Sequence, residues 1–287
     1  MKRILIWLAF LPGIVLAQIP DVQIKLDARL DYEVFQGASS AIRWYDPLGH
    51  QSLVGLQLGL EPGLRAYVSQ RLERIPHDGD PDQLDEYYVE DPGSWRVGKQ
   101  VLPFGAGMIR ESAVGARSDT SLFLREVPIH FALFDSGTGR QRGVMGRLGR
   151  RLGFSFADGD HLGISATSMT LIRAPEDSPG LGSGYHRIFG ADFSEKFGIT
   201  RLGAEYVMLR GGNPSLTNQD VLDMSATATP WKGQSFTAGV TRSFDQPANF
   251  VRGQASITIY NHVTVEPLLR YRDGHFYDFA VSLHVRL

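Results

Sequence analysis

Charged side chains recur at alternating positions near the C-terminal end of the sequence. Six of them could interact with ions: Arg252, Glu266, Arg270, Arg272, Asp278 and Arg286. Residues at alternate positions of a β-strand point to the same face, so one side of each strand would present these groups. If that side lined an aqueous channel, the charges would select ions by sign, and four arginines against two acids would favour anions. Alternatively, the same groups could pair across neighbouring strands and stabilise the sheet.

Two further sets of charged residues are candidates for a pore lining. Arg96, Arg201 and Glu205 each alternate with apolar neighbours. Arg110, Glu111 and Arg117 follow Phe104 in a segment that holds six glycine and alanine residues between positions 105 and 116. Small residues would let this segment pack as a loop inside a narrow lumen and form a constriction with charges of both signs. An ordinary extracellular loop is the alternative.

Catalytic and metal-binding chemistry have weaker signals. His77 lies beside Asp78 and His161 beside Asp160, but a hydrolase needs its histidine and acid together next to a nucleophile or water, and adjacent strand residues face opposite ways. No Gly-x-Ser-x-Gly motif is present. The acidic run at 78–86 alternates as in calcium loops, yet it lacks the glycine and the final glutamate of such a loop. We therefore predict no catalytic residue, no metal site and no cofactor, and a solvated surface loop at 78–86.

The elements that would position these side chains are long two-faced strands. In residues 22–34 every second residue is apolar: Val22, Ile24, Leu26, Ala28, Leu30, Tyr32 and Val34. All the residues between them are polar or charged. A run of this length can supply the roughly 9–11 tilted residues with which a strand crosses a bilayer. The pattern predicts a transmembrane strand with lipid on one face and water on the other.

The same pattern recurs to the end of the chain. Phe279, Val281, Leu283, Val285 and Leu287 form one face of the last segment. Segments of about 7–12 residues alternate with Gly, Pro, Asp and Asn clusters, one of them at 157–160, and this is typical of a transmembrane antiparallel β-barrel of about 16 strands (14–18). Pairing of the first and last strands would close it and remove the open edges. A secreted β-sandwich is the soluble alternative. Seven aromatic residues are expected in the interfacial girdles: Trp44, Tyr45, Tyr67, Trp95, Tyr206, Trp231 and Tyr271.

Composition and targeting agree with an exported membrane protein. Lys2 and Arg3 precede an apolar run that ends at Ala17, which predicts a signal peptide over residues 1–17 and a single barrel domain over 18–287. The sequence has no cysteine, which excludes disulfides and thiolate chemistry. Its net charge of −2 gives no support for nucleic-acid binding.

Residues 84–160 resemble the phosphate-selective porin family. The similarity is found in four segments: LDEYYVE at 84–90, WRVGKQVLPFG at 95–105, GRQRGVMG at 139–146 and GFSFADGD at 153–160. In that family a strand ending in a Pro-Phe-Gly-like turn leads into a long loop folded into the barrel, so the resemblance implies the same for the loop after Phe104. Gln141 stands where the family has Asp, and the chain ends in Leu287 instead of an aromatic residue.

The sequence thus predicts an outer-membrane porin. Such a protein forms a water-filled channel for passive diffusion of small hydrophilic solutes or ions, here with an anion preference. The expected location is the bacterial outer membrane after removal of the signal peptide. The expected partners are outer-membrane lipids and lipopolysaccharide, the barrel-assembly machinery and small anions or other hydrophilic solutes; the assembly could be a homotrimer. A barrel hydrolase acting on lipid or peptide, or a non-conducting scaffold or adhesin, are the alternatives.

Overall fold

The computed structural model describes residues 21–35, 39–61, 63–75, 82–122, 126–135, 142–163, 184–211, 218–245 and 248–287. The predicted signal peptide lies outside these ranges. Within them every regular element is a β-strand: β1 Val22–Phe35, β2 Ser40–Arg43, β3 Leu53–Glu61, β4 Leu64–Arg71, β5 Leu84–Asp91, β6 Trp95–Val101, β7 Ser112–Leu122, β8 Val127–Asp135, β9 Arg142–Gly149, β10 Leu152–Leu162, β11 Tyr185–Phe197, β12 Thr200–Arg210, β13 Gln219–Trp231, β14 Gln234–Ser243, β15 Ala248–Tyr260, β16 Val263–Arg272 and β17 His275–Arg286. No helix in the described ranges has the length and hydropathy needed to cross a membrane.

The strands form one antiparallel sheet that closes on itself. β1 pairs with β17 from Asp27 opposite Arg286 to Phe35 opposite Asp278. On its other side β1 pairs with β2 at one end and with β3 at the other. β2 and β3 therefore share one position in the wall, interrupted by residues 44–52, and the 17 segments make a 16-stranded barrel. The predicted fold class and strand number are confirmed.

Burial is inverted relative to a soluble protein. In β1, Leu30 and Tyr32 are 39% and 48% exposed, whereas the acidic residues Asp31 and Glu33 are 0% and 2% exposed. Large exposed hydrophobic side chains recur around the whole outer surface, and buried charged residues lie inside. This is the pattern expected when hydrocarbon surrounds the barrel. A sandwich would bury the apolar faces of its strands, so the soluble alternative is wrong.

Connection lengths differ between the two ends of the barrel. At the end where β1 begins and β17 ends, several turns contain two residues, for example 198–199, 232–233 and 261–262. At the opposite end the strands are further apart in sequence: residues 102–111 connect β6 to β7, and β10 ends at Leu162 whereas β11 begins at Tyr185. Outer-membrane barrels have short periplasmic turns and longer extracellular loops, so this asymmetry gives the barrel its orientation.

The turn predicted at 157–160 is wrong. These residues lie within β10, where Gly159 pairs with Gly143 of β9. A Cβ at Gly159 would lie 2.2 Å from the carbonyl oxygen of Arg142, and a Cβ at Gly143 would lie 2.3 Å from that of Asp158. The glycine therefore marks a close approach of two strands and not a chain reversal.

An apolar cluster fills part of the barrel interior near the long-loop end. It joins side chains of the connection after β6 to inward-facing side chains of β7 to β13: Leu102, Phe104, Met108, Ile109, Ala113, Ala132, Phe134, Met145, Ala157, Leu162, Tyr185, Ile188, Val207, Leu209 and Val221. All are at most 6% exposed. The interior of this half is consequently a packed core, and not the wholly wet lumen that the alternation predicts.

Candidate functional site: the constriction inside the barrel

The connection between β6 and β7, residues 102–111, folds inward and is named the inner loop. Its Gly105 N–H donates to Ser155 Oγ of β10 at 2.9 Å, and its Met108 N–H donates to Glu205 Oε2 of β12 at 2.8 Å. The ring of Phe104 packs against Gly190 of β11, where a Cβ would lie 2.9 Å from it. The inner loop therefore crosses the barrel interior from β6 to β10–β12, as the family resemblance implies.

Residues 44–52 form a second inward element, named the β2–β3 loop. Asp46 organises it: its Oδ1 accepts the N–H groups of Leu48 and His50, and its Oδ2 lies 2.7 Å from His50 Nδ1 and 3.1 Å from Arg29 Nη1. The inward Arg270 of β16 donates to the carbonyl of Pro47 at 3.0 Å. Burial alone would raise the pKa of Asp46, but His50 and Arg29 outweigh it and hold the pKa below its ordinary value.

A space of about 260 Å³ remains between these two loops and the wall formed by β12–β15. Leu48 and His50 border it from the β2–β3 loop, and Ala106, Gly107 and Met108 border it from the inner loop. The wall contributes Gly203, Ala204, Glu205, Asp223, Ser225, Thr237, Arg252 and Gln254. We name this space the passage. Both inward loops occupy the barrel interior here, so these side chains line the space that the two loops leave open.

One ion pair dominates the wall of the passage. Arg252 of β15 reaches across β14 and donates to both carboxylate oxygens of Asp223 on β13, at 2.6 and 2.9 Å. Arg252 also donates to Thr241 Oγ1 at 2.9 Å, and Thr241 in turn donates to Asp223. A bidentate arginine–carboxylate pair fixes both side chains. The pair therefore presents equal and opposite charges at one point of the wall.

The other charged residues of the last strands are paired as well. Arg270 is 6% exposed and contacts Asp278, Glu266 lies 2.7 Å from Arg29, and Arg286 lies 3.1 Å from Asp27. Arg272 has Asp273 at 3.9 Å. The acids on β1, on β13 and at position 273 were absent from the count of four arginines against two acids. Their presence removes the excess of positive charge on which the anion preference depends.

The remaining sequence-predicted residues do not form one site. Arg96 lies on the inner wall, 2.7 Å from Glu90, with its guanidinium 3.9 Å from the centre of the Tyr88 ring. Arg117 belongs to β7 and not to the inner loop, and it contacts Asp119 at 2.7 Å. Arg110 and the buried Glu111 are in the inner loop, outside the lining of the passage.

Arg201 is exposed, and it lies next to the first residue of β12 at the short-turn end, far along that strand from the rim with the long loops. Glu205 does border the passage, but at 5% exposure it is covered by the inner loop.

Two features of the site were missed. One is the interruption of the second wall strand, which the Asp46-Pro47-Leu48-Gly49 turn residues signal. The other is the apolar inner face, whose signal is loss of alternation in runs that are apolar on both sides, such as FALF at 131–134. Two girdle assignments are also wrong: Tyr45 is 4% exposed and buried with Ile75, and Tyr67 pairs with Tyr88 on the inner wall at a ring distance of 5.3 Å.

Histidine–carboxylate pairs occur, although not where the sequence places them. His284 lies 2.7 Å from Asp27 and 3.2 Å from Glu266, and His130 lies 2.6 Å from Asp119. Asp160 pairs with Arg142, and His77 and Asp78 fall outside the described residues. Among the described residues, neither His284 nor His130 has a serine or threonine hydroxyl as a hydrogen-bond partner.

Comparison with solved structures identifies the architecture. The chain superposes on the outer-membrane channel DcaP of Acinetobacter baumannii with a TM-score of 0.63 and 9% identity, over 96% of this chain and 100% of that one. The fold is that of an outer-membrane β-barrel. In-vitro folded OmpT of Vibrio cholerae in its trimer form gives 0.59 at 9% identity, over 94% and 100%, and a mutant of the Rh. blastica porin gives 0.59 at 11%, over 93% and 100%. No family model and no curated protein matches the sequence.

Proposed function

We propose that this protein is a porin that lets small hydrophilic solutes diffuse across the bacterial outer membrane. In this proposal residues 1–17 direct export and are removed, and residues 18–287 form the barrel. The passage is the observation that carries the proposal, because a polar gap between two inward loops gives a solute a route that avoids hydrocarbon. The apolar outer surface and the porin-like fold support it.

Planar-bilayer recording of the purified protein tests this function. A porin gives stepwise conductance increments in potassium chloride. A silent barrel with hydrolytic activity that a His284→Ala or His130→Ala substitution abolishes would favour the enzyme alternative. A silent barrel without such activity would favour a scaffold or adhesin. Among the described residues, the imidazoles of His284 and His130 have no serine or threonine hydroxyl as a hydrogen-bond partner, and Ser256 Oγ donates to Glu266 instead of His284. This arrangement supports the pore, since neither histidine is placed to activate a hydroxyl nucleophile.

The oligomeric state, the membrane partners and the ion selectivity stay predictions. OmpT of Vibrio cholerae has a trimer form, and a homotrimer of the present chain is tested by native mass spectrometry in detergent. Contacts with lipopolysaccharide and with the assembly machinery are expected for any outer-membrane barrel. Neither phosphate selectivity nor the anion preference has support in the ion-paired arginines, and reversal potentials in a salt gradient measure both.

A further inference from the structure

The side of the passage formed by the two loops carries little charge. The inner loop presents Gly105-Ala106-Gly107-Met108, of which Ala106 and Gly107 are exposed. The β2–β3 loop adds Leu48 and His50, and the imidazole of His50 is held by Asp46 at 2.7 Å. In the described part of the chain, no carboxylate of the inner loop lines the passage. The loop side of the passage therefore lacks the acidic groups that would create an electric field across the passage toward the wall.

The wall itself is close to neutral. Asp223 and Arg252 cancel within their own bidentate pair, so a passing ion meets a local dipole and not a net charge. Ser225, Thr237 and Gln254 add hydroxyl and amide groups. The carboxylate of Glu205 is bound by the Met108 N–H and shielded by the inner loop.

From this arrangement we infer that the Asp223–Arg252 pair determines the charge selectivity of the channel and that its solutes are uncharged, hydroxyl-rich molecules of the size of a monosaccharide. Hydroxyl groups can exchange hydrogen bonds with the ion pair, Gln254 and Ser225, while Leu48 and Met108 accommodate the less polar face of such a solute. The inference deepens the proposed function and rests on it.

Reversal potentials in a potassium chloride gradient test the role of the pair. We expect a wild-type permeability ratio within about threefold of unity. The Asp223→Asn variant leaves Arg252 unbalanced. A unit charge about 4 Å from an ion in a water-like medium changes the permeability of each ion by about fivefold, in opposite directions for chloride and potassium, so the ratio should shift toward chloride by about 25-fold. Arg252→Gln should shift it toward potassium by a similar factor. The double variant should return the ratio to the wild-type value.

A matched control uses another bidentate pair of the barrel wall. Arg147 and Asp192 are joined at 3.0 and 2.6 Å inside the barrel, but they do not line the passage. Asp192→Asn should therefore leave the reversal potential unchanged. Folding of each variant is checked by heat-modifiable migration in gel electrophoresis, and the wild-type ratio tests the inference even where a variant fails to fold.

Liposome swelling with the wild-type protein tests the solute class. Glucose should enter at least as fast as gluconate and glucosamine, which have similar size and opposite charges. Two results overturn the inference and leave the porin function standing. One is a conducting wild-type channel with a strong preference for cations or for anions. The other is several-fold faster entry of gluconate or glucosamine than of glucose. Absence of both conductance and swelling overturns the porin function, and the inference with it.

Discussion

Glu205 anchors the inner loop, and its replacement by alanine tests what keeps the passage narrow. Glu205 is buried, and its Oε2 accepts the Met108 N–H at 2.8 Å. A hydrogen bond of this kind contributes about 0.5–1.5 kcal/mol. Its loss should raise the equilibrium constant for release of the loop by about 2- to 13-fold. The packing of Phe104 and the bond from Gly105 to Ser155 remain, so the loop should open transiently and not unfold the barrel.

Single-channel recording measures this release. Glu205→Ala should show larger open-channel noise and transitions to higher conductance, with unchanged heat-modifiable migration. Glu205→Gln keeps an oxygen that can accept the Met108 N–H, so it should restore most of the wild-type behaviour. Glu195→Ala removes only the partner of the exposed Arg151, and as a control it should change nothing. A Glu205→Ala channel as quiet as the wild type would refute the anchoring role.

Three further changes probe the barrel and the β2–β3 loop. Gly159→Val places a Cβ only 2.2 Å from the carbonyl oxygen of Arg142, so this variant should fail to fold into a heat-modifiable barrel. The control variant Leu30→Val should fold normally. Leu30→Arg puts a charge on the lipid face and should cost about 2–4 kcal/mol at mid-bilayer depth, measured by urea titration in lipid vesicles; an unchanged midpoint would contradict a lipid-facing β1. The lowered pKa of Asp46 means that its charged form is stabilised on folding, so this contribution is present above about pH 4 and is lost as the pH falls through the lowered pKa. Asp46→Asn removes this contribution at every pH, so the variant should show more open-channel noise than the wild type at pH 7, and the difference should disappear below about pH 4; equal noise of the two channels at pH 7 would refute this.

The faces of the strands follow from sequence where one side meets lipid and the other meets water. β1 and β17 alternate cleanly, and period-two alternation is the direct result of strand geometry. The closed barrel and the strand number follow from the same pattern. Alternation fails where both faces of a strand meet an apolar environment, as at 131–134. There the inner loop covers Ala132 and Phe134 on the inner face, and Phe131 and Leu133 face the lipid on the outer face.

The site depends on register, and register is not visible in one sequence. Asp223 and Arg252 are 29 positions apart, and they meet only because β13, β14 and β15 are aligned so that the arginine reaches across β14. A count of charges on the last strands misses this partner and gives the wrong balance. Likewise, the turn residues at 46–49 mark a chain reversal, but whether it points into the barrel depends on Arg29 of β1 and on Arg270, which is 223 positions from Pro47.

Closure between β1 and β17 brings together the two ends of the described chain, with Asp27 and His284 separated by 257 positions. The other ladders join strands that are close in sequence. Chain entropy opposes contacts between distant segments, and such contacts slow folding, so we expect this seam to form last. Until it does, β1 and β17 expose unpaired edges that can capture another chain. Correct folding then depends on keeping the edges of β1 and β17 away from other chains until these two strands have paired.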